Sequence, residues 1–397
     1  MTFLQKLERF FAKPFFSDSR TLLGLWILLP VIAAFVKVHS HNNYSIFRGV
    51  FWHTLQGTPL YTEYPSEYFD TNHYGPFFSL VIAPFALLPV WIGLLCWLVV
   101  MSLLLYWAIR KLPLSHRRQV FIYWFCAHEL LTALFMSQFN IVIAAIILAT
   151  FCCIEKEKDV WAALFIVVGT FVKLYGIVGL AFFFFSRHKV KFILALLGWS
   201  VVCFVLPMLL SSPEYIVSQY HDWYESLSEK NAANLFALHQ NISFLGMVRK
   251  ISGDPLYSDL WLIVPGLLLF GLPYLRISQY KNLAFRYALL ASVLLFTVLF
   301  STGSESSTYI IAFVGVAVWY VTAPWKRNIW DVALLVFAFV LTSMSPSDLF
   351  PGWLRRTFVQ PYALKALPCL LVWLKLCMEM MMRDYASAEV RKERELL

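Results

Sequence analysis

"PFFSLVIAPFALLPVWIGLLCWLVVMSLLLYWAI", residues 76–109, runs from Pro76 to Ile109 without one charged side chain. A helix crosses the hydrocarbon core of a bilayer in about 20 residues, so this stretch is longer than one crossing needs. Pro84 and Pro89 interrupt it. Both a kinked long helix and a short helix followed by a full-length one fit that pattern.

The rest of the chain has the same character. Of 397 residues, 60% are hydrophobic and 14% charged, with 36 Phe and 15 Trp, and mean hydropathy is +0.68. A soluble domain carries about a quarter charged residues, so the composition defines an all-α, polytopic membrane protein. Windowed hydropathy marks apolar segments near 21–38, 76–109, 119–136, 139–154, 160–172, 174–185, 192–210, 259–275, 285–301, 308–323, 330–345 and 363–382. That predicts about twelve transmembrane helices in a single polytopic domain over residues 1–397. The pair 160–172 and 174–185 is too short to cross upright and must be sheltered by protein or line a cavity.

The net charge of +9 does not point to nucleic acid, because Lys and Arg sit in small clusters between apolar runs and form no patch. They report topology instead. "RKLPLSHRR", "EKEKD", "SRHKVK", "PWKRN" and the tail "RKERELL" (the tail spanning 383–397) all fall on one side when the N-terminus is cytoplasmic, which places both termini inside. Residues 1–20 predict a cytoplasmic interfacial helix ahead of an uncleaved first span. The outer pieces are a first loop at 39–75, a lid loop at 211–258 and a segment at 344–362. The seven cysteines lie in or at the ends of apolar segments, without C-x-x-C or metal spacing; they read as small buried hydrophobes, and no metal or cofactor is expected.

Within the first loop, Ile46, Phe47, Val50, Phe51 and Leu55 recur at helical spacing with Gly57 as a stop, predicting a short interfacial helix. "EYPSEYFDTNHY" follows, bringing Glu67, Asp70 and His73 to the mouth of the span. Polar groups also interrupt apolar segments at Glu129 beside His128, at "SQFN" (Ser137–Asn140), at Lys173 and at Glu305. Intramembrane charge is expensive and marks functional candidates, although a satisfied bridge between helices explains Glu129 equally well. Lys173, between two short helices, suits a phosphate or a snorkelling role. In "STGSESSTY" (301–309) a helix start with Ser306 and its neighbours suits an anion or sugar or simple capping. No G-x-S-x-G, H-E-x-x-H or Walker loop occurs, so hydrolase, zinc protease and P-loop classes have no support.

With these pieces placed, the chain resembles the GT-C-type membrane glycosyltransferases, and within them glycosyltransferase family 87, the polyprenyl-phosphate-mannose-dependent mannosyltransferases. The residues that carry the resemblance are "NNYSIFRGVFWHTLQGTPLY", "HYGPFFSLVIAPFALLP", "SQFN" and "FVKLYGIVGLAFFF", in family order over roughly residues 20–325.

The resemblance implies inverting transfer of a hexose, mannose in that family, from a polyprenyl phosphate donor to a lipid or glycan acceptor on the periplasmic face of a bacterial inner membrane. Membrane lipids are the other expected partner. A first-loop acid would serve as base. The family's aspartate at that place falls on Asn43 here, and an amide does not accept a proton at neutral pH. Two readings follow. In one the base has moved, with Asp70 first and Glu67 and Glu305 as rivals, Glu67 and His73 orienting Asp70, Lys173 and Arg48 holding the donor phosphate, and Asn43, Tyr74, Gln138, Asn140, Glu305 and Ser306 contacting substrate. In the other the protein binds or moves a lipid-linked glycan without chemistry, as a transporter or flippase.

Overall fold

The computed structural model describes residues 13–254 and 256–386. It is helical, with no strand among the described residues, and it divides into two compact units at Leu227/Ser228. The interfacial helix expected over residues 1–20 falls largely on 1–12, and the tail expected over 383–397 largely on 387–397, both outside the described residues. Among the described residues a single turn, Pro14–Ser17, precedes α1, and Asp18 caps α1 by accepting from the Arg20 amide at 2.6 Å.

The first unit contains α1 (Ser19–Lys37), α2 (Asn42–Gln56), α3 (Phe78–Ala86), α4 (Val90–Lys111), α5 (His116–Phe135), α6 (Asn140–Glu155) and α7 (Asp159–Val172). A 3₁₀ helix over Leu174–Phe185, α8 (Lys189–Val205) and α9 (Pro213–Asn234), which runs across the division, follow. The charge-free run over 76–109 is therefore a short helix and a full one. Pro89 is extended (ψ 142°) and stands as the N-cap of α4. Gly93, one turn into α4, lies so close to the Tyr44 hydroxyl and the Phe85 carbonyl that a Cβ there would meet them at 2.0 and 2.4 Å. Only glycine lets α4 start against that pair.

α6 is buried on every face. The helices around it, α4, α7 and the 3₁₀ helix, pack directly upon it, which is how a short apolar helix is sheltered without crossing alone. Gly169 of α7 and Gly176 of the 3₁₀ helix meet backbone to backbone; a Cβ on Gly176 would sit 2.2 Å from the Gly169 carbonyl carbon. That contact folds the 160–185 pair into a tight hairpin with Lys173 at its turn.

The second unit holds α10 (Phe244–Ser252), α11 (Leu260–Gly271), α12 (Leu283–Leu299), α13 (Tyr309–Thr322), α14 (Ile329–Phe337, continuing as a π helix to Met344) and α15 (Ala366–Met382). The lid loop expected at 211–258 is thus mostly helix, α9 and α10. α12 and α13 form its centre, and a buried ionic network joins Arg327 to Glu379 at 3.0 Å and Lys375 to Asp331 at 3.0 Å.

Among the described residues, Ser19–Lys37, Val90–Lys111 and Lys189–Leu209 are long and apolar enough to cross a membrane by length and composition; seven further apolar helices are shorter, 10–17 residues each. A count near twelve stays an expectation from hydropathy. Along α8 the exposed large apolar side chains are Val190, Ile193, Leu194, Leu197, Val201, Val202 and Val205. A contiguous apolar surface of that kind is costly in water and suits hydrocarbon.

Candidate active site

The site is built where the C-terminal ends of α5 and α7 meet the N-terminal ends of α3 and α6, with the first loop (38–77) draped across them. α2 sets that loop. Its buried stripe of Tyr44, Phe47, Val50, Phe51 and Thr54 packs on α3, and Gly57 ends it in the left-handed conformation (φ 66°). The helix begins a turn earlier than the apolar spacing predicts, so Asn42 and Asn43 lie in its first turn. Asn42 brackets Phe69 with two backbone bonds, accepting from its N–H at 2.8 Å and donating to its carbonyl at 2.7 Å. Asn43 donates to the Met136 carbonyl at the end of α5, 2.8 Å away. An ionised aspartate has no proton to give, so the amide at this position has a structural use. Arg48 donates to the Ala86 carbonyl at 3.2 Å, at the C-terminal end of α3.

Past Phe69 the loop turns through Asp70, whose φ of 72° is left-handed. Asp and Asn tolerate that region better than other non-glycine residues. The Asp70 carboxylate accepts from the Thr71 amide at 2.9 Å and lies 3.9 Å from His73 Nε2. Asn72 then folds over the next turn, accepting from the Tyr74 N–H and donating to its carbonyl, both at 3.0 Å. Gly75 donates its N–H to the Val172 carbonyl of α7 at 3.1 Å, and a Cβ there would stand 2.2 Å from the Phe171 oxygen. This position needs a residue with an N–H and no side chain.

Beneath Tyr74 runs a chain of polar groups. Lys173 Nζ donates to Asn140 Oδ1 at 2.7 Å, and Asn140 Nδ2 donates to Gln138 Oε1 at 2.8 Å. The ammonium also sits over the Tyr175 and Tyr74 rings, 4.8 and 5.8 Å from their centroids, and the Tyr74 hydroxyl accepts from the Phe139 amide at 3.2 Å. Ser137, at φ 55°, makes the turn that presents Gln138, and the Trp97 indole holds its carbonyl at 2.8 Å.

The structure therefore joins Tyr74, Gln138, Asn140 and Lys173 into one cluster, with Asp70 and His73 on the strand of loop that enters it. The other sequence candidates have partners of their own. Glu67 pairs with buried His53, Oε2 to Nε2 3.3 Å, and Tyr64 stacks on that imidazole at 3.9 Å. Burial lowers the His53 pKa from its ordinary 6.5, against the opposing pull of Glu67. Glu305 and Ser306 belong to the second unit. There Glu305 forms a reciprocal cap with Thr308 at the start of α13, and Ser306 receives two bonds from buried Lys365, at 2.9 and 3.0 Å. Glu129 is buried within α5.

Sequence reasoning missed His53, Lys365 and two residues of α9. The Trp223 indole donates to the His73 carbonyl at 3.0 Å, and Ser226 Oγ lies 3.0 Å from His73 Nδ1. Their partners are 150 residues or more away in sequence, where no local spacing reports them.

Apolar helices and the loop between them thus carry the Lys173–Asn140–Gln138 chain and, on the loop that leads to Tyr74, Asp70 and His73. The sequence profile of glycosyltransferase family 87 matches residues 72–302, more than half of the chain, and the protein belongs to that family; it is a membrane glycosyltransferase. The match includes His73, Tyr74, Gln138, Asn140 and Lys173 and begins two residues after Asp70. No curated protein matches the chain.

Proposed function

We propose that the protein transfers a hexose, mannose being the first candidate, from a polyprenyl phosphate donor to a lipid or glycan acceptor at the periplasmic face of a bacterial inner membrane, with inversion. The observation that carries this reading is the Lys173–Asn140–Gln138 chain. It sets a cation and two amides side by side, the donor set for a phosphate and for sugar hydroxyls.

In this reading the acceptor oxygen attacks the anomeric carbon as Asp70 takes its proton. The bond from that carbon to the phosphate oxygen breaks, its electron pair stays on the phosphate, and Lys173 offsets the charge that develops there. Asp70 suits the role because its side chain is about half exposed and so open to an acceptor. With Arg48 engaged by the Ala86 carbonyl, the phosphate role rests on Lys173; with Glu305 and Ser306 serving the start of α13, the sugar role rests on Gln138 and Asn140.

A lipid-linked donor also needs a place for its chain. An apolar cavity of about 360 Å³ lies among α3, α4, α6 and α7, lined by Phe85, Trp97, Leu104, Phe139, Ala149 and Phe165 among others. Phe139 stands between Gln138 and Asn140 in sequence, so the cavity adjoins the polar cluster. A cavity of roughly 150 Å³ binds benzene. By that scale this one holds on the order of a dozen carbons, two or three isoprene units.

The test is to supply the purified protein, reconstituted in lipid, with polyprenyl phosphate hexoses and candidate acceptors. Release of polyprenyl phosphate coupled to acceptor glycosylation supports the reading. Movement of intact donor across the bilayer without release favours a transporter instead.

A further inference from the structure

One face of α9 is given over to the first loop. The Tyr215 hydroxyl donates to the Thr58 carbonyl at 2.6 Å, Gln219 Oε1 accepts from the Leu60 amide at 2.7 Å, Trp223 holds the His73 carbonyl, and Ser226 meets the His73 ring. These residues are spaced by four, four and three, which puts them on one helical stripe. Asp222 fixes the stripe from the side, accepting from Gln219 Nε2 at 2.8 Å. Gln219, Trp223 and Ser226 are all buried.

The contact with His73 is the one with chemical content. A neutral imidazole has one N–H and one lone pair, and the partner of one nitrogen decides the state of the other. Nε2 faces Asp70 Oδ1 at 3.9 Å and the Thr71 hydroxyl at 3.4 Å. A carboxylate only accepts, so its presence favours the proton on Nε2. Nδ1 is then a lone pair that needs a donor, and the Ser226 hydroxyl stands 3.0 Å from it. The competing acceptor for that hydroxyl, the Asn72 carbonyl, is farther, at 3.5 Å.

We infer that Ser226 is a positioning residue: by donating to His73 Nδ1 it fixes the Nε2–H tautomer and the ring plane, so that the imidazole presents a donor toward the Asp70 carboxylate. Ser226 acts through His73, whose Nδ1 it meets at 3.0 Å. The inference deepens the assignment of Asp70 as base and rests on it for its catalytic consequence, but the tautomer itself is a property of the protein alone.

The experiment uses the full-length protein in lipid nanodiscs. ¹⁵N-histidine NMR, with the His73 signal assigned by its loss in His73→Gln, reads the tautomer in wild type, Ser226→Ala and Ser226→Thr. The expected result is an Nε2-protonated ring in wild type and Ser226→Thr, and a shift toward the other tautomer or exchange between them in Ser226→Ala. In parallel Ser226→Ala lowers kcat by roughly ten- to a hundredfold with the donor KM unchanged, and Ser226→Thr restores it. An unchanged His73 tautomer in Ser226→Ala overturns the inference, as does wild-type kcat in that variant. If Ser226→Ala does not fold, Ser226→Val against the isosteric Ser226→Thr makes the same comparison. A protein that shows the tautomer change and no sugar transfer with any donor retains the positioning role and loses the proposed function.

Discussion

Lys173 Nζ stands 2.7 Å from Asn140 Oδ1, and through Asn140 the ammonium is tied to Gln138. The bond orients a charge that would otherwise swing on a flexible four-carbon stem. Hydrogen bonds to charged groups contribute about 1.5–3 kcal/mol, so Lys173→Met raises the donor KM by roughly ten- to a hundredfold. Asn140→Ala, which leaves the charge but not its orientation, has a smaller effect. Steady-state kinetics over a donor series measures both.

Gly75 should tolerate nothing larger. Its place against the Phe171 carbonyl, 2.2 Å from any Cβ, and under the Trp223 ring leaves no room. Gly75→Ala must push the loop off the end of α7. Overpacking of this kind costs about 1–3 kcal/mol, read as a fall in thermal midpoint, and the displaced Tyr74 and His73 lower activity further. Gly75→Pro also removes the bond to Val172 and is the more damaging of the two.

The apolar cavity makes a steric prediction. Ala149 lines it and is nearly closed from solvent. Under the proposed function Ala149→Phe fills space the donor chain would occupy and raises the KM for polyprenyl donors, with little change in the acceptor KM. Donors shortened to about three isoprene units still bind wild type, because the cavity holds no more than that. Kinetics with farnesyl and longer phosphate sugars distinguishes these outcomes.

His53 gives the first loop a pH dependence. Its folded-state pKa lies below the ordinary 6.5, chiefly through burial. The unfolded chain therefore binds the extra proton first as pH falls through 6.5, and stability declines from there downward. The thermal midpoint falls more steeply between about pH 7 and 5 in wild type than in His53→Asn; equal slopes would remove His53 from the account.

Much of the scaffold was legible in sequence because it is written in apolar spacing. Ile46 to Leu55 with Gly57 predicted α2, and the helix runs Asn42–Gln56. Pro84 and Pro89 left the 76–109 run ambiguous, since the deciding feature, the approach of Gly93 to Tyr44 and Phe85, is tertiary. α9 was missed for a physical reason. Its stripe of Tyr215, Gln219, Trp223 and Ser226 grips the loop through polar atoms, and such a face has no hydrophobic period. Asn43 looked like a lost base; its bond to Met136, 93 residues away, shows a donor where an acid cannot serve. Glu67 looked like a partner of Asp70, but its pairing with His53 depends on how the loop turns, which no local pattern reveals.

Asp70 carries the central claim. Asn accepts the same left-handed backbone, so Asp70→Asn removes the proposed base with little effect on folding. The most direct test compares wild type and Asp70→Asn in proteoliposomes for the rate of polyprenyl phosphate release from a saturating polyprenyl phosphate hexose. The prediction is a loss of about a hundredfold to ten-thousandfold at an unchanged thermal midpoint; full activity in Asp70→Asn would contradict it.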